Sequence, residues 1–230
     1  MLSEEVRSRL AALADPERAP DMQAYMKSAM PYLGVSAVPL RQACKELFAP
    51  LRYDSGGQWQ ADVLSLWRGA RFREERYAAI ELTGLTAARA FQRIDALPMY
   101  EELIVTGAWW DYVDTIAGQR FWAILGNERE AMKAAMLRWA TDDNMWKRRS
   151  AILCQLRAKA ETDLDFLSAC IAPSIGSSEF FLRKAIGWAL RQYAWTDPEA
   201  VIRYVEGHPQ LSGLSKREAL KNVGGARRSA

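Results

Sequence analysis

The chain has 230 residues, of which 50% are hydrophobic and 26% charged, with a net charge of +3 at neutral pH. This is the balance of a globular protein large enough to bury a substantial core. The charge is too small to argue for a nucleic-acid partner by itself, and the absence of any run of about 18 uncharged apolar residues predicts no membrane span. Acidic residues stand at Met1-Leu2-Ser3-Glu4-Glu5, where a secretory signal carries base, so the expected location is the cytoplasm. Cys44, Cys154 and Cys170 are far apart with no CxxC pairing, and His208 is the sole histidine. A zinc site needs clustered ligands. No metal or cofactor is expected, and the cysteines read as reduced structural thiols. Nothing pairs His208 with a nucleophile as in a Ser-His-Asp triad. Of 31 basic residues 23 are Arg and 8 Lys. The planar Arg fork suits phosphates, but a GC-rich genome gives the same excess, so this leaves the partner open.

Helical periodicity dominates and strand alternation is missing. In chain order, Ser3 is expected to cap a first segment with Val6, Leu10 and Leu13 on one face. Short helices follow around 22–32 and 39–48, then near 59–68, 72–82, 86–95 and 98–106. Next come 109–117, 119–127, 129–141 and 144–158, and finally 162–170, 179–194, 198–206 and 215–222. Asp197-Pro198 reads as an N-cap with proline at the first helical position, and Ser215-x-x-Glu218 as a capping box. Residues 224–230 read as a frayed tail. A weak repeat runs through the chain: Met145–Ala151 aligns with Phe180–Ile186 at an offset of 35, and Arg76–Ile80 aligns with Arg149–Ile152 after one gap. Helix pairs recurring at about 35–45 residues mark HEAT-like solenoids, in which neighbouring pairs bury each other's apolar faces and leave a concave surface. The expectation is one all-α HEAT-like domain over residues 1–230.

Three clusters can carry chemistry. In Trp109-Trp110-Asp111-Tyr112-Val113-Asp114, a helix places Trp110 and Asp114 on one face at i and i+4, while Trp109 and Val113 form a second pair suited to the core. In Asp143-Asn144-Met145-Trp146-Lys147-Arg148-Arg149, basic residues sit in the first turns of a helix. The helix dipole disfavours them there, which suggests an anionic partner or a nearby structural carboxylate. In the third, Lys184, Trp188 and Arg191 form a basic-aromatic stripe, and the intervening Gly187 costs about 1 kcal/mol relative to alanine, which implies a close approach. Tryptophan in a helical repeat is usually core, a lone aspartate usually solvated, and surface bases usually serve solubility. Pattern alone therefore yields an α-solenoid whose partner, protein or nucleic acid, stays open.

At these clusters the sequence resembles the AlkD-type DNA alkylation repair glycosylases. Matching segments are Tyr25-Met26-Lys27 with Leu33-Gly34, and Glu101–Thr106 running into Trp109-Trp110-Asp111-x-Val113-Asp114. They continue with Asp143-Asn144-x-Trp146-x-x-Arg149-x-Ala151-Ile152-Leu153 and with Glu179-Phe180-Phe181 through Lys184-Ala185-Ile186-Gly187-Trp188-x-Leu190-Arg191-x-Tyr193-Ala194. Leu214–Ala219 completes the set. The resemblance implies a monomeric, metal-free and cofactor-free enzyme of base excision repair whose concave face holds duplex DNA. It would hydrolyse the N-glycosidic bond of cationic N3- or N7-alkylated purines such as 3-methyladenine and 7-methylguanine. It places catalysis on Asp114, Trp110 and Trp188, and DNA contact on Arg149, Tyr25 and Ser36, a position where better-known relatives carry glutamine. Lys184 and Arg191 join this DNA-binding set. An alkylated purine is already a good leaving group, so no catalytic histidine is needed, and a carboxylate at Asp114 in place of a lysine implies hydrolysis without a Schiff base. A non-catalytic DNA-binding relative or a HEAT-like protein scaffold are the competing classes.

Overall fold

The computed structural model describes residues 1–223, and the tail expected at 224–230 lies outside the described residues. Among the described residues all regular structure is helical. The helices gather into two compact units, one spanning Met1–Gln92 and the other beginning at Arg93.

The first unit holds α1 (Leu2–Ala11), α2 (Ala19–Tyr25), α3 (Ala37–Phe48), α4 (Gly56–Arg68) and α5 (Arg73–Leu82). Their apolar residues recur at helical spacing and close a core in which Leu10, Phe48, Trp59, Val63, Trp67 and Ile80 are buried. α5 packs on both α3 and α4, and α1 on α3. Ser55 caps α4, its hydroxyl accepting the Gln58 amide at 3.3 Å, which satisfies a donor the helix start leaves free. The expected Ser3 cap is displaced, since α1 already begins at Leu2. The segment expected as one helix over 86–95 forms two short 3-10 turns, Thr86–Phe91 and Ile94–Ala96, the second of which belongs to the next unit. Between α2 and α3 the chain is held by Glu74, a fully buried residue whose carboxylate accepts the Leu33, Gly34 and Val35 amides at 2.9–3.1 Å. Gly34 adopts φ +86°, and a Cβ there would lie 2.0 Å from the Asp15 carbonyl oxygen, so only glycine fits.

The second unit holds α6 (Leu97–Gly107), α7 (Trp110–Thr115), α8 (Phe121–Asn127), α9 (Arg129–Ala140), α10 (Met145–Leu153), α11 (Leu164–Ile171), α12 (Phe180–Tyr193), α13 (Pro198–Gly207) and α14 (Gly213–Leu220). α9 packs on α10, α10 on α12, and α12 on α14, with α6 and α7 also on α10. α10 therefore lies against the helices that carry the other two clusters. Where a break near Gly118 was expected, a π turn over Ile116–Arg120 joins α7 to α8. α10 stops at Leu153, short of the expected residue 158. Beyond it Gln155 accepts the Asp163 amide at 2.9 Å and donates to the Asp163 carbonyl at 3.0 Å, clipping the loop into α11. The Asp197-Pro198 start of α13 is as expected, with Asp197 accepting the Ala200 amide at 2.8 Å. The expected capping box is not: Ser212 caps α14 by accepting the Ser215 amide at 3.0 Å, while Ser215 donates its hydroxyl to the Arg183 carbonyl at 2.9 Å. Cys44, Cys154 and Cys170 are buried free thiols, as expected.

The close approach implied by Gly187 is present. A Cβ on Gly187 would lie 2.5 Å from the Glu218 Cβ and 2.9 Å from the Ser215 carbonyl oxygen, so α14 crosses α12 at that glycine. Helix propensity alone favours Gly187→Ala by about 1 kcal/mol. The crossing reverses that sign, because the backbone of α14 would have to move, at a typical overpacking cost of about 1–3 kcal/mol. Urea unfolding of Gly187→Ala should show a lower midpoint than the wild type; a raised midpoint would mean the crossing is looser than described.

Candidate active site

α7 begins with the chain extended at Trp109 (φ −147°, ψ 150°). The turn sends the Trp109 ring inward, where its centroid lies 5.6 Å from Phe181 and 6.2 Å from Trp146; Trp146 and Phe181 are 5.0 Å apart. Trp109 is thus the residue before the helix, not its first turn, but its apolar assignment holds. Trp110 opens α7 and stands one turn before Asp114, so indole and carboxylate share a helix face. Both residues are half-buried.

Asp114 is gripped by Arg149 of α10. The Arg149 Nε donates to Oδ1 at 2.7 Å and Nη2 to Oδ2 at 2.8 Å, the parallel fork that makes guanidinium–carboxylate pairs both strong and directional. The guanidinium side chain is 4% exposed and the carboxylate 15%. Nη1 of Arg149 donates to the Phe181 carbonyl oxygen on α12, and the guanidinium lies 5.8 Å from the Phe181 ring centroid. Three helices therefore meet at one arginine. Burial pushes the Asp114 carboxyl above its ordinary pKa, against the pull of Arg149 and with a smaller push from Asp111.

The basic start of α10 resolves in two ways. Lys147 bridges the carboxylates of Glu101, at 2.7 Å, and Asp142, at 2.5 Å, and lies over the Trp139 ring. The dipole penalty there is thus offset by structural carboxylates. Asn144 caps the same helix, accepting the Trp146 and Lys147 amides at 2.9 and 3.3 Å.

On α12, Trp188 is half-buried and stands seven residues after Phe181, two turns along one face and about 10.5 Å away at 1.5 Å per residue. Lys184 donates to Glu218 Oε1 at 2.7 Å, and Arg191 donates to Glu218 Oε2. Both members of the expected stripe are thus engaged by one carboxylate of α14. Tyr25 and Ser36 belong to the first unit. Tyr25 ends α2 and is 77% exposed; Ser36 precedes α3, directly after the loop that Glu74 holds. Sequence reasoning missed Glu218 and the Phe181 carbonyl. Glu218 looked like half of a capping box, and a backbone acceptor leaves no mark in a sequence.

Among the described residues no group of three or more His, Cys, Asp or Glu is placed to hold a metal, and no helix is long and apolar enough to cross a membrane. Residues 6–223 match the family profile described as DNA alkylation repair enzyme. The chain is similar to the solved structure of a predicted DNA alkylation repair enzyme from Enterococcus faecalis, with 28% identity and a TM-score of 0.81 over 90% of this chain and 95% of that one. No curated protein sequence matches it significantly.

Removing one partner of a buried ion pair strands the other charge away from water, at a cost of about 3–5 kcal/mol. Arg149→Met should lower unfolding stability by that order and blur the α7–α10–α12 junction. A loss below about 1 kcal/mol in denaturant titration would mean that Asp114 is solvated without its partner.

Proposed function

The chain belongs to the DNA alkylation repair enzyme family, and from that premise we propose that it is a monofunctional DNA glycosylase releasing cationic N3- or N7-alkylated purines from duplex DNA. It would work as a cytoplasmic monomer at the start of base excision repair. The observation that carries this reading is the half-buried Asp114 carboxylate, oriented by the Arg149 fork and sharing a helix face with Trp110.

A purine alkylated at N3 or N7 bears positive charge, so the base departs with the electron pair of the glycosidic bond and needs no proton from the protein. The deoxyribose left behind has oxocarbenium character, as in glycoside hydrolysis generally. A carboxylate fixed before the reaction stabilises that developing charge without reorganising. The same carboxylate orients a water for attack at C1′, and the water's proton leaves to solvent or to Asp114 itself. With both oxygens tied to Arg149, Asp114 acts chiefly through its charge and position. Trp110 and Trp188 would offer ring faces to the sugar and the cationic base, contacts worth about 0.5–2 kcal/mol. Arg149, expected at a phosphate, has a side chain only 4% exposed and engaged by Asp114 and the Phe181 carbonyl, so its part in this proposal is to hold the carboxylate in place. Tyr25 and Ser36 would supply further DNA contacts, whereas Lys184 and Arg191, the other two expected there, are both held by Glu218.

The test is release of free base from duplex DNA containing 7-methylguanine. Asp114→Asn, which keeps the shape and removes the charge, should slow release by about 10²–10³-fold, the scale of losing one preorganised electrostatic group. An unchanged rate would refute the role of the carboxylate, and a wild type that binds DNA but releases nothing would favour a non-catalytic relative. The pH profile adds a second check. The ionised form of Asp114 is the active one and burial raises its pKa, so activity should fall on the acid side at a higher pH than an ordinary aspartate would give. The Asp114→Asn variant should lack that limb.

A further inference from the structure

We infer that Glu218 of α14 is a positioning residue for Trp188, holding Lys184 and Arg191 away from the indole so that its face stays open to a cationic base. The inference rests on the glycosylase reading for its substrate, but its geometry is independent of it.

At about 100° per residue, Lys184 and Arg191 lie within about 20° of each other on α12. Gly187 lies about 60° to one side of Lys184 and Trp188 about 40° to the other. The two cations therefore form a ridge between the glycine and the tryptophan. Both have side chains long enough to fold either way, and Trp188, at i+4 from Lys184 and i−3 from Arg191, is within reach of each. An ammonium or guanidinium over an indole face is an attractive contact. Without a competing acceptor, both would be drawn to the ring.

Glu218 is that acceptor, and it is built onto the glycine side. Its Cβ lies so near Gly187 that no side chain fits between them, and its carboxylate takes Lys184 on one oxygen and Arg191 on the other. α14 is locked at this height by the Ser215 hydroxyl, which donates to the Arg183 carbonyl one turn earlier on α12. The glutamate is 15% exposed, and the cations raise its preference for the charged form. It thus withdraws two rivals from the aromatic face and offsets one of the two positive charges that would repel a cationic base. A pair of surface bases with no such acceptor would favour phosphate in general; this arrangement favours a cation beside Trp188.

The test uses the full chain and Glu218→Gln, which preserves the packing at Gly187 and removes the charge. In single-turnover assays with enzyme in excess, release of 7-methylguanine should slow by about 2- to 30-fold, the range of a cation–π contact. Binding to undamaged duplex should strengthen, with the salt slope steeper by about 0.9 for each cation freed to a phosphate. A fold defect would weaken both, so the opposite directions are diagnostic. Adding Lys184→Gln to Glu218→Gln should recover part of the lost rate by removing a competitor. A readout free of catalysis is quenching of the Trp188 fluorescence, obtained by difference from Trp188→Phe. Caesium quenching should fall relative to acrylamide in Glu218→Gln. An unchanged rate, or an unchanged caesium-to-acrylamide ratio, overturns the inference. A wild type that releases no base overturns the glycosylase reading instead, while the quenching ratio still decides this one.

Discussion

The site hangs on one buried ion pair. A carboxylate and a guanidinium removed from water are costly unless each satisfies the other, and the geometry must be good to repay their desolvation. Here the fork of Arg149 meets both oxygens of Asp114, and its outer nitrogen is spent on the Phe181 carbonyl. The pair therefore does more than join two side chains. It fixes the direction of α7 against α10, and of α10 against the start of α12, around a floor made by Trp109, Trp146 and Phe181. A charge that must be ready before a substrate arrives is best held this way, since the dipoles and charges around it need not move during the reaction.

The second unit repeats a device at three scales. Lys147 is held between Glu101 and Asp142, Arg149 by Asp114, and the Lys184–Arg191 pair by Glu218. In each case a base on α10 or α12 is answered by an acid from a different element or from the preceding loop. A modest net charge of +3 is consistent with this: much of the positive charge near the candidate site is internally balanced. Salt-dependent attraction to a polyanion would then come from side chains elsewhere, or from bases released from their internal partners.

How far the sequence could be read depended on what kind of force set each feature. The all-helical fold was legible because apolar periodicity reports directly on burial, and residues such as Trp59, Val63 and Leu10 are in the core that the spacing implies. Gly187 was legible because a glycine inside a good helix is a local cost that needs a reason, and the α14 crossing supplies it. The pairing of Asp114 with Arg149 was not, since 35 residues separate them and nothing local links the two. Helix ends were misread where a tertiary partner outbid a local one. Ser215 and Glu218 have the spacing of a capping box, yet the serine bonds Arg183 and the glutamate bonds Lys184 and Arg191. Glu74 escaped notice for the same reason: its partners are backbone amides some 40 residues earlier.

The π turn after α7 has a bearing on how this segment can change. A wide turn accommodates one residue more than a regular α-helix of the same length, and here it falls at Ile116–Arg120, immediately beyond Asp114 and Thr115. α7 and α8 consequently do not share one helical phase. The i→i+5 bonding of the turn takes up that residue locally, so the flanks keep their places while the sequence spacing between them slips by one. A face traced straight through this stretch at 3.6 residues per turn is therefore wrong by about 100° on one side of it. Alignment of Asp114 with the buried face of α8 has to be read across the turn with one residue left out, and a relative lacking that residue would run as a regular helix with its carboxylate still opposite Arg149.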